Sequence, residues 1–159
     1  MDQAQHTYAG FWMRFLAYII DGICLTIAFS VISIPLFILF GAGAAMGGSD
    51  EMGSGQEAFF MALFSTYLLL IFLGAMVASW LYYALMESSA KQATLGKLAL
   101  SLRVTDMTGN RVSFGRATGR FFGKFISGAI LYIGYIMAGF TQQKQALHDI
   151  MAGTLVVKK

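Results

Sequence analysis

Charge is what this chain has least of. Lys, Arg, Asp and Glu make up 12% of its 159 residues, while hydrophobic residues make up 57%. Soluble domains carry roughly 25% charged residues. So few polar groups cannot coat a globule of this size, which excludes a water-soluble fold and makes lipid the solvent for much of the surface. Cysteine is limited to Cys24, so no intramolecular disulfide can form, and its place in an apolar run reads as a small packing residue. The two histidines, His6 and His148, lack the cysteine or carboxylate spacing of a zinc site, and no metal or cofactor is expected. A net charge of +3 is too small to suggest a nucleic-acid partner. The first ten residues hold no cation, and the apolar run after them is far longer than the roughly 7–15 residues of a secretory signal. The first span is therefore expected to stay in the mature protein.

What the chain does have is long apolar runs. The first extends from Phe11 or Phe15 to Phe40, interrupted only by Asp21 and by the lone proline, Pro35, which is placed to kink its far end. A glycine-rich segment at 41–57 follows, carrying Asp50, Glu51 and Glu57 and no basic residue. The second run, Ala58 to Met86, has no charge at all and is long enough to cross about 30 Å of hydrocarbon with tilt. Trp80, Tyr82 and Tyr83 near its end, like Phe11 and Trp12 at the start of the first run, read as interfacial anchors.

From Glu87 to Lys124 the character changes: Lys91, Lys97, Arg103, Arg111, Arg116, Arg120 and Lys124 face only Glu87 and Asp106. By the positive-inside rule this stretch is cytoplasmic, which puts the N-terminus in the cytoplasm as well. Leu98, Leu100, Leu102 and Val104 alternate with more polar neighbours as on a half-buried strand. Turn residues at 106–110 then allow Arg111 to Phe114 to return as a second strand, and 154–157 is a third short β-prone run that would help the pair. Arg116, Arg120 and Lys124 recur every fourth residue beside Gly115, Gly119 and Gly123. On a helix they form a basic stripe suited to anionic lipid headgroups, or one that only sets topology. Residues 125–140 are short for a crossing and interrupted by glycines. A re-entrant segment or helical hairpin with a cytoplasmic C-terminus is favoured over a single crossing.

The expected fold is an all-α integral membrane protein forming one domain over residues 1–159. It has two transmembrane helices at about 11–41 and 58–86, a third short or re-entrant helical segment at about 115–140, and a small cytoplasmic β-hairpin at about 98–114. It is multi-pass in the cell membrane.

An ionisable group inside the first run, Asp21, costs about 2.5–3.5 kcal/mol on insertion scales unless it is paired, hydrated or used. Arg14 shares its helix face seven residues earlier, about 10.5 Å away along the axis, too far for a routine pair. Tyr18 lies between them as a candidate bridge, and Asp149, beside His148, is a candidate partner from the far end of the chain. Asp21 is expected near mid-membrane and Arg14 near the cytoplasmic face.

Three stretches together resemble the RDD family of membrane proteins: Tyr8-Ala9-Gly10-Phe11-Trp12-Met13-Arg14 continuing to Asp21; Thr94-Leu95-Gly96-Lys97 leading to Leu102-Arg103-Val104 and on to Ser113-Phe114-Gly115-Arg116; and Gln145-Ala146-Leu147-His148-Asp149 with Ala152-Gly153-Thr154. The resemblance maps the one arginine and two aspartates of the family name onto Arg14, Asp21 and Asp149, and Glu87 also matches. It implies transport of undefined ligands, including sodium/proton exchange in some members, or a part in larger membrane assemblies.

Two functions follow as expectations. In one, Arg14, Tyr18, Asp21, Glu87, His148 and Asp149 form a buried polar network that fixes helix packing in a scaffold or accessory subunit. In the other, Asp21 exchanges a proton for a monovalent cation in a transporter. Two or three spans cannot enclose a pathway alone, so the second needs a homo-oligomer, packed through Gly74 and Ala78 or Ala75 and Ser79. Expected partners are a bilayer with anionic headgroups and either a second copy or another membrane protein. No nucleophile–base set is present, and the chain is not expected to be an enzyme.

Overall fold

The structure is a computed structural model and describes residues 7–46 and 54–159. It is mostly helical. Among the described residues, helix α1 (Phe11–Met46) and helix α2 (Ser54–Ser88) are the two single helices long and apolar enough to cross a membrane. Pro35 lies inside α1 and does not end it. The loop expected at 41–57 is narrower than its glycines suggest, because α1 runs to Met46 and α2 starts at Ser54; the rest of it lies outside the described residues.

After α2 come a short helix α3 (Leu95–Ala99), strand β1 (Leu102–Asp106) and helix α4 (Phe114–Ala129). Next are α5 (Ile133–Ile136), a 3₁₀ turn (Met137–Gly139), α6 (Leu147–Ala152) and β2 (Thr154–Lys158). The chain bends by 117° between α4 and the segment Ile133–Gly139. Leu131 and Tyr132 sit at the bend with φ of 54° and 61°, a left-handed conformation that an α-helix cannot continue through. The third segment is therefore a broken helix.

The small antiparallel sheet is present, with a different second strand from the expected hairpin. β1 pairs with the tail, Leu102 opposite Lys158 through Asp106 opposite Thr154. The return strand at 111–114 shrinks to one bridge, Thr105 to Arg111. The turn itself forms, with the Asp106 carboxylate accepting from the backbone of Thr108 at 2.9 Å and of Asn110 at 2.8 Å. Ser113 then caps α4, its hydroxyl accepting from Arg116 N at 3.3 Å, which commits the residues after it to helix. The strand also starts later than its alternation suggests, because residues 95–99 form a helical turn. β2 gains a second neighbour in residues 7–9, where Ala9 N donates to Val156 O and Lys158 N to Thr7 O, both at 2.9 Å.

The described chain divides into two compact units. One, residues 24–79, holds the greater part of α1 and α2, where the Tyr67 hydroxyl donates to Ser33 O at 3.0 Å and Phe37 faces Phe64. The other comprises residues up to Ile23 and from Trp80 onward. Its apolar core is Ala9, Ala17, Leu102, Val104, Val112 and Val156, with Met13 and Leu100 packed against them. Of the α4 glycine stripe, Gly123 has a packing role: a Cβ there would lie 3.0 Å from that of His148, so glycine lets α6 approach α4.

Candidate functional site

The second unit carries a buried chain of alternating charges. Arg14, in the first turn of α1, donates through Nε to Ala9 O at 2.8 Å and through Nη2 to Lys144 O at 2.5 Å. Its Nη1 pairs with Oδ2 of Asp149 in the first turn of α6. The other oxygen of Asp149 accepts from Arg120 Nη2 on α4 at 2.6 Å. Arg120 Nη1 reaches Glu87 on α2 at 2.8 Å, and the second Glu87 oxygen accepts from Lys97 of α3 at 2.5 Å. Five residues from five helices thus form Arg14–Asp149–Arg120–Glu87–Lys97. Every carboxylate oxygen in the chain meets a cation, and the planar guanidinium of Arg120 spans two carboxylates as an ammonium cannot. Burial alone would raise the Asp149 carboxyl, but Arg120 and Arg14 hold it well below the usual carboxylate range. Lys97 is lowered by burial, with Glu87 opposing.

Asp21 sits apart from this chain. It is 1% exposed, and its partners are neutral donors: the Tyr82 hydroxyl at 2.7 Å, the Thr94 hydroxyl at 2.6 Å and Gly96 N at 2.7 Å. Asp21 ties α1 to the end of α2 and to the start of α3. The carboxylate expected at the centre of the constellation therefore lies beside the segment that follows α2, and Arg120 and Asp149 occupy the centre. Tyr18, expected to bridge Arg14 and Asp21, is 56% exposed and takes no part in the hydrogen bonds of either. One helical face puts Tyr18 between them in projection, but it is Tyr82, arriving from α2, that donates to Asp21.

The basic stripe on α4 is also redistributed. Arg116 is exposed, as a headgroup ligand must be. Arg120 is 2% exposed and both its terminal nitrogens are engaged in the ion chain, which removes it from the lipid-facing set. Lys124 is half-buried, its ammonium 3.8 Å from the centre of the Tyr83 ring. Of the stripe, only Arg120 meets Glu87 and Asp149.

His148 is buried against Tyr135, with ring centres 5.1 Å apart, and its Nδ1 lies 3.3 Å from the Ser127 hydroxyl. Burial pushes it down from 6.5 to about 3, so it is neutral near pH 7. A histidine depressed in the fold is protonated first in the unfolded chain, so its contribution is intact above pH 6.5 and lost as pH falls toward 3. Acidification from pH 7 to pH 5 is expected to cost about 2 kcal/mol through this residue. Melting curves at the two pH values should show a smaller loss for His148→Phe than for the parent; equal losses would exclude His148 as the source.

Sequence reasoning missed Tyr82, Thr94, Gly96 and Lys97 as site residues. The signal was present in Thr94-Leu95-Gly96-Lys97, which offers a hydroxyl, an unshielded N–H and an ammonium, the donors that two buried carboxylates require.

The model of the RDD family matches residues 8–153. The chain belongs to that family. It is 41% identical over 151 residues to the uncharacterized protein YxaI of Bacillus subtilis (strain 168), covering 95% of this chain and 97% of that protein. It is 30% identical over 158 residues to the uncharacterized membrane protein YteJ of the same organism, covering 96% and 82%. No solved structure matches the chain. Of the three residues onto which the resemblance maps the RDD name, Arg14 and Asp149 meet directly, and Asp21 is held by a separate set of donors.

Proposed function

We propose that this RDD-family membrane protein is a scaffold or accessory subunit of the cell membrane, with its N-terminus in the cytoplasm. The observation that carries the reading is the saturation of its buried carboxylates. Asp21 accepts three hydrogen bonds from fixed neutral donors, and the carboxylates of Glu87 and Asp149 are each held between two cations. An exchange site must release a proton and admit a cation, whereas this arrangement suits a rigid polar core that specifies one packing. The part of α1 beyond Ile23 is by itself about 34 Å long, enough for about 30 Å of hydrocarbon. Lys91, Arg111, Arg116, Lys158 and Lys159 are exposed on the charged unit, which favours the cytoplasmic side for it. Gly74 and Ala78 are exposed on α2, leaving a small-residue face open to a second helix.

Asp21→Asn in proteoliposomes tests the reading. Asparagine can keep one oxygen for Tyr82 and Gly96 and donate its amide to the Thr94 hydroxyl, so it should melt within about 1 kcal/mol of the parent. No pH- or sodium-driven flux is expected from either protein. Cross-linking in the membrane followed by native electrophoresis should show the parent in a larger assembly that Arg120→Met dissolves. Flux by the parent that Asp21→Asn abolishes would establish a transporter instead.

A further inference from the structure

Helix α4 turns its apolar face outward. Phe114, Phe122, Phe125 and Ile126 are all exposed, and at 3.6 residues per turn they fall within an arc of about 120°. Thr118 is the one polar side chain on that arc, and its hydroxyl accepts from the Trp80 indole at 3.2 Å. The opposite face is covered and polar: Arg120 and Ser127 are buried there, and Gly123 meets His148 of α6. A helix on a soluble domain is the reverse, with its apolar stripe inward. The apolar surface continues past the break, where Leu131 is 82% exposed.

Crossing the bilayer conflicts with both the length and the inner face of this helix. Its 16 residues rise only about 24 Å against ~30 Å of hydrocarbon, and the 117° bend then ends the climb. On the inner face, Arg120 bonds Asp149 of α6, and α6 leads through Gly153 into β2. β2 pairs with β1 and lies beside the exposed Lys158 and Lys159. An open sheet cannot follow α4 into hydrocarbon, where every backbone group needs a partner. Trp80 sets the depth instead. It lies in the last third of α2, a residue suited to the membrane–water boundary, with its ring centre 6.0 Å from that of Phe114 and 6.4 Å from that of Phe122. The outer face of α4 is thus continuous with the aromatic end of a membrane helix, which makes lipid its cover.

We propose that α4 is an in-plane element that docks on the bilayer from the charged unit's own side, laying Phe122, Phe125 and Ile126 among the acyl chains at the headgroup boundary without crossing. A helix of this kind sinks its apolar face about 5–10 Å. That is deep enough for phenylalanine rings and shallow enough to keep Arg120, and the ion chain behind it, out of hydrocarbon. The occupant of the face is the acyl boundary of the membrane that holds α1 and α2. The tail then stays on the side where α3 and β1 lie. The docking face stands whether the protein is a scaffold or a carrier.

Phe114→Cys, Phe122→Cys and Phe125→Cys, each in a Cys24→Ser background, place a nitroxide on the face in the full chain, reconstituted in phosphatidylcholine–phosphatidylglycerol vesicles. Electron paramagnetic resonance with oxygen and a water-soluble nickel chelate as relaxants reads the depth of each label. All three are expected to meet oxygen far more than the chelate, at depths within about 5 Å of one another, the radius of a helix with its side chains. A crossing helix would set the Phe125 label about 16 Å deeper than the Phe114 label, eleven residues at 1.5 Å each, and would overturn the proposal. So would protection from both relaxants, which would give the face to a second copy or another protein, and so would free access to the chelate. Lys91→Cys and Lys159→Cys extend the test to an undisturbed α4, both replacing exposed charges off the face. In cells expressing the full chain, an impermeant maleimide should label both to the same extent, and labelling from opposite sides would exclude an in-plane α4.

Discussion

Arg120→Met is expected to destabilise the charged unit by about 3–5 kcal/mol, the range for removing one partner of a buried ion pair. Methionine matches the length and apolar stem of arginine but donates nothing. Glu87 would be left with Lys97 alone and Asp149 with Arg14 alone, each with an oxygen that is buried and unpaired. Because these carboxylates belong to α2 and α6, the loss falls on the contact between helices rather than on either helix. Arg120→Lys should recover little, since one ammonium cannot fork to two carboxylates on different elements. Adding Glu87→Gln to Arg120→Met should recover part of the loss by removing one stranded charge, a coupling that a double-mutant cycle would read. Melting of a fluorescent fusion, followed by size exclusion, measures all five proteins, the Glu87→Gln single variant of the cycle included. A midpoint for Arg120→Met equal to that of the parent would show that the ion chain does not hold the unit together.

Gly96→Ala is expected to be nearly as damaging although it adds one methyl group. A Cβ at this position would overlap the carbonyl oxygen of Ala17 and lie 3.1 Å from Asp21 Cγ. Neither obstacle can rotate away: one is the backbone of α1, and the other is a carboxylate held by three donors. Relief requires α3 to move off α1, which breaks the Gly96 N–H bond to Asp21. Overpacking costs about 1–3 kcal/mol and sometimes more, and a buried acceptor left short adds a further ~1–3 kcal/mol. Limited proteolysis between α2 and β1 should accelerate in step with the fall in melting temperature. Leu95→Ala, at a neighbouring side chain that is 46% exposed, should stay within about 0.5 kcal/mol of the parent. If the two variants behave alike, the close approach at Gly96 carries no strain.

Much of the site was visible before any coordinates. Arg14, Glu87 and Asp149 are charges in or beside apolar runs, and each does join the buried chain. Lys97 and Arg120 were visible only as part of a basic stretch. Net positive charge along a segment says which side of a membrane it prefers, and it does not say which cations turn inward. Arg116 and Arg120 lie four residues apart on similar ground, yet one is exposed and the other buried between carboxylates from two other helices.

By itself, the sequence determined the membrane class and the two long helices, because run length and charge scarcity act along the chain; it marked the third segment as interrupted, though the break falls at Leu131 and Tyr132 rather than at a glycine. It also marked Asp21 as a group that must have partners. Only the tertiary structure decided who those partners are, that β1 pairs with the chain's tail, and that Arg120 links Glu87 to Asp149. Those outcomes depend on groups separated by tens of residues, from Thr94 against Asp21 to Arg14 against Asp149. Periodicity shows which face of an element is covered, and packing alone determines what covers it.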